Sequence, residues 1–132
     1  MNQFAKALAI SLALLSPVAA LGAEKGKSEQ APAGKIYKVA DIYKDKAKLD
    51  NQKVTVKGKV VKISAGIMGK NWLHIQDGSG NAANKTNDLT VTTTQNLPET
   101  GKTVTVTGTL HKDKDFGAGY FYSVIVEDAV IK

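Results

Sequence analysis

An all-β fold, a five-stranded barrel with one short N-terminal packing helix, is predicted by three features of this sequence. Segments of alternating apolar and polar residues recur after residue 53, clusters of Gly, Asp, Asn and Pro separate them, and two of the segments carry a glycine at the same place. Alternation at period two turns one side of a strand toward a core and the other toward water. The separating residues supply the turn conformations that end strands.

The one helical pattern covers residues 38–48. Val39, Ile42, Tyr43 and Ala47 fall on one face, and Lys44, Lys46 and Lys48 suit the carboxyl end of a helix dipole. No strong amino-terminal cap precedes it. The first strand, 53–60, turns Val54, Val56 and Val60 inward and its lysines outward. Val61 and Ile63 have the opposite parity, so a bulge or bend across 58–61 is expected to return them inward, as a small closed barrel often requires. The second strand, 72–76, places Leu73 and Ile75 on one side and Trp72, His74 and Gln76 on the other; Asp77, Gly78, Ser79 and Gly80 then make a turn.

A third strand, 89–93, sets Leu89, Val91 and Thr93 against Thr90 and Thr92. The clearest alternation follows at 103–110, where Val104, Val106 and Leu110 share a parity with Gly108. The last strand runs from 120 to 127 or slightly beyond, with Tyr120, Tyr122, Val124 and Val126 opposite Phe121, Ser123 and Ile125. GKTVTVTGTLHK at 101–112 echoes NQKVTVKGKVVK at 51–62, each with a glycine four residues after its first strand valine. That echo fits two curved strands, each needing a small residue at a tight point. Five strands and a helix in this length favour an OB-like barrel, because closure protects the edges.

The domain organisation is read as a signal peptide at 1–23, a flexible lead at 24–36 and the OB-fold domain at 37–132. The first stretch has a positive end at Lys6, an apolar run from Ala7 to Leu15, and small residues before a charged start, with cleavage after Gly22 or Ala23. The apolar run is short for a transmembrane helix, and no later segment offers the roughly 20 apolar residues one needs. The protein is therefore expected in the periplasm or secreted, and not membrane-spanning. There is no cysteine, so stability must come from packing and not from disulfides. All 18 formal cations are lysine, giving a net charge of +6. Mixed signs describe an ordinary soluble surface, though the excess would also attract an anionic polymer. Without arginine, no bidentate guanidinium fork exists to read base edges.

The richest segment for a site is 66–78. Trp72 offers a flat apolar ring and His74 follows two residues later on the same strand face, with Lys70 or Lys62 to meet an anion. A structural alternative makes Trp72 a barrel lid and Met68 a packing residue. Met68, His74 and His111 are the metal-ligand candidates, copper being the ion suited to thioether and imidazole donors, although their spacing is not that of a metal motif. No cofactor is required by the residues. Catalysis is not expected: Asp77, Asp113 and Asp115 do not form a calcium loop or a catalytic carboxylate pair, and Ser64, Ser79 and Ser123 lack an identifiable base.

The segments VTVKGKVVKISAGIMGKNWLHIQDGSG, DLTVTT, KTVTVTGTL and KDFGAGYFYSVIVEDA together resemble a family of small exported bacterial OB-fold proteins, related to the periplasmic protein encoded with formate-dependent nitrite reductase. The resemblance spans about residues 37–130. It implies an OB fold, with 66–80 and 117–120 as the distinctive segments, and it brings no set of catalytic residues. A more distant resemblance is to periplasmic stress-related OB proteins, for which small cations and cell-wall material have been proposed as ligands; the basic composition here disagrees with a cationic one. OB folds bind oligonucleotides or oligosaccharides on the face of strands 2 and 3. On that face the expected ligand-binding set is Met68, Lys70, Trp72, His74, Thr90, Thr92 and Tyr120. The expected function is a non-enzymatic periplasmic binding or accessory module whose partner is an unidentified ligand or protein. Copper or other metal handling is one alternative, and binding of single-stranded nucleic acid or another anionic polymer is another.

Overall fold

The computed structural model describes residues 35–132; the expected signal segment and the lead up to residue 34 lie outside the described residues. Two short helical turns, α1 (Val39–Lys44) and α2 (Lys46–Leu49), precede five strands, β1 (Lys53–Ile67), β2 (Lys70–Gln76), β3 (Leu89–Thr93), β4 (Thr103–Asp115) and β5 (Phe121–Ile131). The strands close in the order β1-β2-β3-β5-β4, an OB-like barrel. All pairings are antiparallel except β3 with β5, where Thr90 lies opposite Ile125 and Val91 opposite Val126.

The expected inward residues fill the barrel. Val54, Val56, Val60, Leu73, Ile75, Leu89, Val91, Val106, Leu110 and Val126 form one core with Val39 and Ile42 from α1. The echoed glycines are the expected tight points. A Cβ on Gly58 would stand 3.0 Å from the Gln76 carbonyl oxygen, and one on Gly108 only 2.7 Å from that of Glu127. β4 and β5 approach so closely at Gly108 that no larger residue fits without backbone movement.

The helical segment departs from expectation. It breaks at Asp45, so Leu49, not Ala47, joins the core, and Ala47 faces solvent. Its missing cap comes from the turn after β2: the Val39 amide donates to Asp77 Oδ2 at 3.0 Å and the Ala40 amide to Ser79 Oγ at 2.9 Å. Burial pushes the Asp77 carboxyl upward, but the hydrogen bonds from Ser79 and the Val39 amide outweigh this and hold it below the usual range.

β1 and β4 are both longer than their alternation suggested. A register irregularity in β1 between Val60 and Lys62 sets Ile63 opposite the core residue Leu73, which is the expected change of parity. Even so, Val61 and Ile63 remain exposed, because β1 runs past the end of the core and continues to Ile67. These overlong strands form two arms, the β1–β2 hairpin and the distal β4–β5 hairpin.

Candidate binding cleft on the outer face of β2

On the barrel's outside, β2 turns Trp72 and His74 away from Leu73 and Ile75, as period-two geometry requires. The distal β4–β5 hairpin bends over that surface. The Trp72 ring lies 5.5 Å from Phe116, edge on, and 5.7 Å from Tyr122, while its Nε1–H donates to the Ile67 carbonyl at 2.8 Å. Such aromatic contacts stabilise by about 0.5–1.5 kcal/mol each beyond burial. Trp72 is therefore a clamp joining both arms to β2. Only 6% of it is accessible, so the expected open stacking platform is corrected to the barrel-lid alternative.

Between the arms lies an open cleft of about 240 Å³, lined by Lys62, Ser64, Ile67, Met68, Trp72, His74, Tyr120 and Tyr122. Four of the expected ligand residues, Met68, Trp72, His74 and Tyr120, meet here. Ile67, Met68 and Tyr120 are all large and apolar, yet each is about half exposed. Met68 also has a φ of +51°, a left-handed conformation that costs a non-glycine residue about 1 kcal/mol. An exposed thioether held in a strained turn beside an exposed tyrosine fits a contact residue better than a packing residue.

At the back of the cleft, His74 Nδ1 is 2.6 Å from Asp88 Oδ2, and Gln76 donates to the other carboxylate oxygen at 3.2 Å. Burial pushes the Asp88 carboxyl up, but the hydrogen bonds from His74 and Gln76, with the nearby His74 and Lys62 charges, bring it below the ordinary aspartate value. An ionised Asp88 accepts a hydrogen bond from His74 Nδ1–H, which leaves Nε2 as the ring nitrogen with which His74 can meet a ligand. Sequence reasoning did not single out Asp88; a carboxylate at the mouth of β3, beside a strand whose outer face carries a histidine, was the signal. It also overlooked Tyr122, which only the bend of the β4–β5 arm brings to β2, and Ser64 as a lining residue, although Ser64 pairs with Trp72 across the β1–β2 ladder. Lys62, the expected alternative to Lys70, pairs with His74 there and does line the cleft.

The remaining expected residues sit elsewhere. Thr92 is completely buried, and its Oγ1 is the one buried side-chain oxygen without a partner among the described residues. It cannot meet a ligand, since none of its surface is accessible. Thr90 is also buried, with its Oγ1 3.4 Å from His74 Nδ1, and it lines a different cleft. Lys70 is drawn from the cleft by acids of β5, its Nζ lying 3.7 Å from Glu127 and 3.9 Å from Asp128. His111 also belongs to Glu127, 3.6 Å away, and so is separated from Met68 and His74 as a metal ligand. Glu127 is itself 5% exposed and receives Lys114 at 2.8 Å, tying the bent arm to the barrel wall. Among the described residues, no helix is long and apolar enough to cross a membrane, and no three His, Cys, Asp or Glu side chains are grouped to hold a metal ion.

No family model matches this chain, and neither does any curated protein. Among solved structures, it is similar to the N-terminal domain of PriB from Thermoanaerobacter tencongensis, described as dimeric, with 20% identity and a TM-score of 0.36 over 63% of this chain and 98% of that one. So distant a likeness says nothing about what this chain binds or how it assembles. The OB-like assignment follows from the strand order and pairing.

Proposed function

We propose that this protein is an exported, non-enzymatic OB-fold binding module, and that the cleft between its two arms takes a ring-bearing anionic ligand. The observation that carries the reading is the grouping of half-exposed Ile67, Met68 and Tyr120 around a recess backed by His74 and Lys62. Apolar walls with a few convergent polar groups are the usual composition of a ligand site. Tyr120 offers a ring face, Lys62 a positive charge, and Ser64 and His74 Nε2 hydrogen-bonding groups. The compartment, periplasmic or extracellular, is supported by the amino-terminal segment and by the resemblance to exported OB-fold proteins. Titration with a uronic-acid dimer and with a nucleoside monophosphate, followed by intrinsic fluorescence, tests the site. Tyr120→Ala is expected to weaken binding about tenfold, roughly the worth of one aromatic contact, whereas Thr100→Ala on a remote exposed turn leaves it intact. Equal affinities for the two variants would remove the site.

Copper handling is the second reading, favoured by one specific observation: Met68 and His74 line the same cleft, and Asp88 fixes the histidine ring from behind, as outer carboxylates do for metal-bound imidazoles. His111 has no part in it. The measurement is calorimetry with cuprous ion on the wild type and on a Met68→Leu/His74→Ala double variant. Stoichiometric binding lost in the variant supports this reading, and unchanged heats reject these ligands.

A further inference from the structure

A second recess lies on the other side of the β5 arm. It measures about 590 Å³ and is lined by residues that include Lys46, Lys85, Thr86, Phe121, Ser123 and Tyr122. Tyr122 lines the first cleft too and forms the ridge between them. Their floors also adjoin: Thr90, at the base of the second recess, lies 3.4 Å from His74 at the back of the first. Successive residues of the arm serve the two sides. Tyr120, 50% exposed, lines the first cleft, and Phe121, 57% exposed, lines the second.

The two recesses therefore repeat one chemistry. Each has one exposed aromatic ring, at least one lysine, and hydroxyl or amide groups: Ser64 in the first, Asn84, Thr86 and Ser123 in the second. Positive charge is sparse. Lys46 is already engaged by Asp113 at 2.8 Å and by Ser123 Oγ at 3.0 Å, which leaves exposed Lys85, among the described residues, as the lysine lining the second recess that can meet a ligand, while Lys62 in the first lies near Asp88. A groove for single-stranded nucleic acid tracks the phosphate chain with positive charge along its length and stacks bases on aromatic rings. Here hydroxyls and amides outnumber such cations. A sugar ring asks for this balance: its C–H face packs on an aromatic side chain, its hydroxyls take neutral hydrogen bonds, and an occasional carboxylate needs one lysine.

We propose that the two recesses are consecutive subsites for a linear, carboxylate-bearing glycan, which crosses the Tyr122 ridge with one sugar ring against Tyr120 and another against Phe121. The inference rests on the proposed role of the first cleft and adds the second site and the ligand class. Both subsites then contribute to a single binding event, so affinity rises with chain length until both are filled.

The test is calorimetry of the purified protein with a uronic-acid dimer, a uronic-acid hexamer, an uncharged hexasaccharide and an oligothymidylate hexamer. The hexauronate is expected to bind about tenfold or more tighter than the dimer and tighter than either other hexamer. Phe121→Ala and Lys85→Gln, both at exposed positions, are each expected to erase that length gain. Tyr120→Ala is expected to weaken dimer and hexamer alike. Dimer and hexamer of equal affinity in the wild type, or a length gain that survives both Phe121→Ala and Lys85→Gln, overturns the second subsite; the first cleft still stands if Tyr120→Ala weakens the dimer. Tighter binding of oligothymidylate than of hexauronate overturns the glycan in favour of nucleic acid, and equal binding of the uncharged hexasaccharide overturns the role of the lysines. Dimer affinity unmoved by Tyr120→Ala overturns the first cleft and the inference with it.

Discussion

The two sides of β2 are buried by different means. Leu73 and Ile75 on the inner side lie within a closed barrel, where every strand contributes to covering them. Trp72 on the outer side is buried almost as deeply, but by a single bent hairpin that brings Phe116 and Tyr122 over it. Burial within a closed barrel cannot be undone without unfolding it. Burial under an arm can be undone locally, and the surface it shapes is the one to which the ligand is proposed to bind.

If that contrast holds, the largest effect belongs to the inner side. Leu73→Ala should destabilise the whole domain by about 3–5 kcal/mol in denaturant unfolding, through the lost transfer energy and the cavity left behind. Trp72→Ala should cost about 2–3 kcal/mol, and its signature should be local: faster amide exchange in residues 62–72 and 112–124, with the β1–β4 ladder still protected. Uniform loss of protection in the second variant would erase the distinction between the two sides. Glu127→Gln comes next. Its carboxylate is buried under Lys114, Lys70 and His111, and losing the charge should cost about 1–2 kcal/mol, again mostly by loosening the arm. Thr92→Val should stabilise by about 1 kcal/mol, because it replaces an unpaired buried hydroxyl with a methyl group. The smallest effect concerns pH. The folded value of Asp77 is depressed, so its contribution to holding α1 is complete above the ordinary aspartate pKa and is lost as pH falls through the folded value. Exchange at the Val39 and Ala40 amides should accelerate on acidification before that of the barrel strands.

Sequence alone carried the inner side well. Period two placed Val54, Val56, Leu73, Ile75, Val104, Val106 and Leu110 correctly, and the repeated glycines marked two true points of close approach. It failed on the outer side for a physical reason: alternation reports which residues share a face and is silent on what lies above that face. The covering residues Phe116 and Tyr122 are more than forty positions from Trp72. Consequently Thr92 and Ile125 look solvent-facing by parity yet are sealed, and Lys70 looks ready for a ligand yet turns to Glu127. The α1 cap was hidden for the same reason, since Asp77 and Ser79 lie nearly forty residues beyond the amides they receive. Met68, His74 and Tyr120 were legible as a group because two of them occupy one hairpin and the third immediately precedes the last strand.

Hydrogen exchange of the purified protein with and without a saturating uronic-acid hexamer tests the account most directly. New protection is expected at residues 62–74 and 116–123, where the arms meet the outside of β2, with the paired stretches 53–59 and 103–109 unchanged. Protection confined to those paired stretches, or no change between the arms under conditions where calorimetry registers binding, would contradict it.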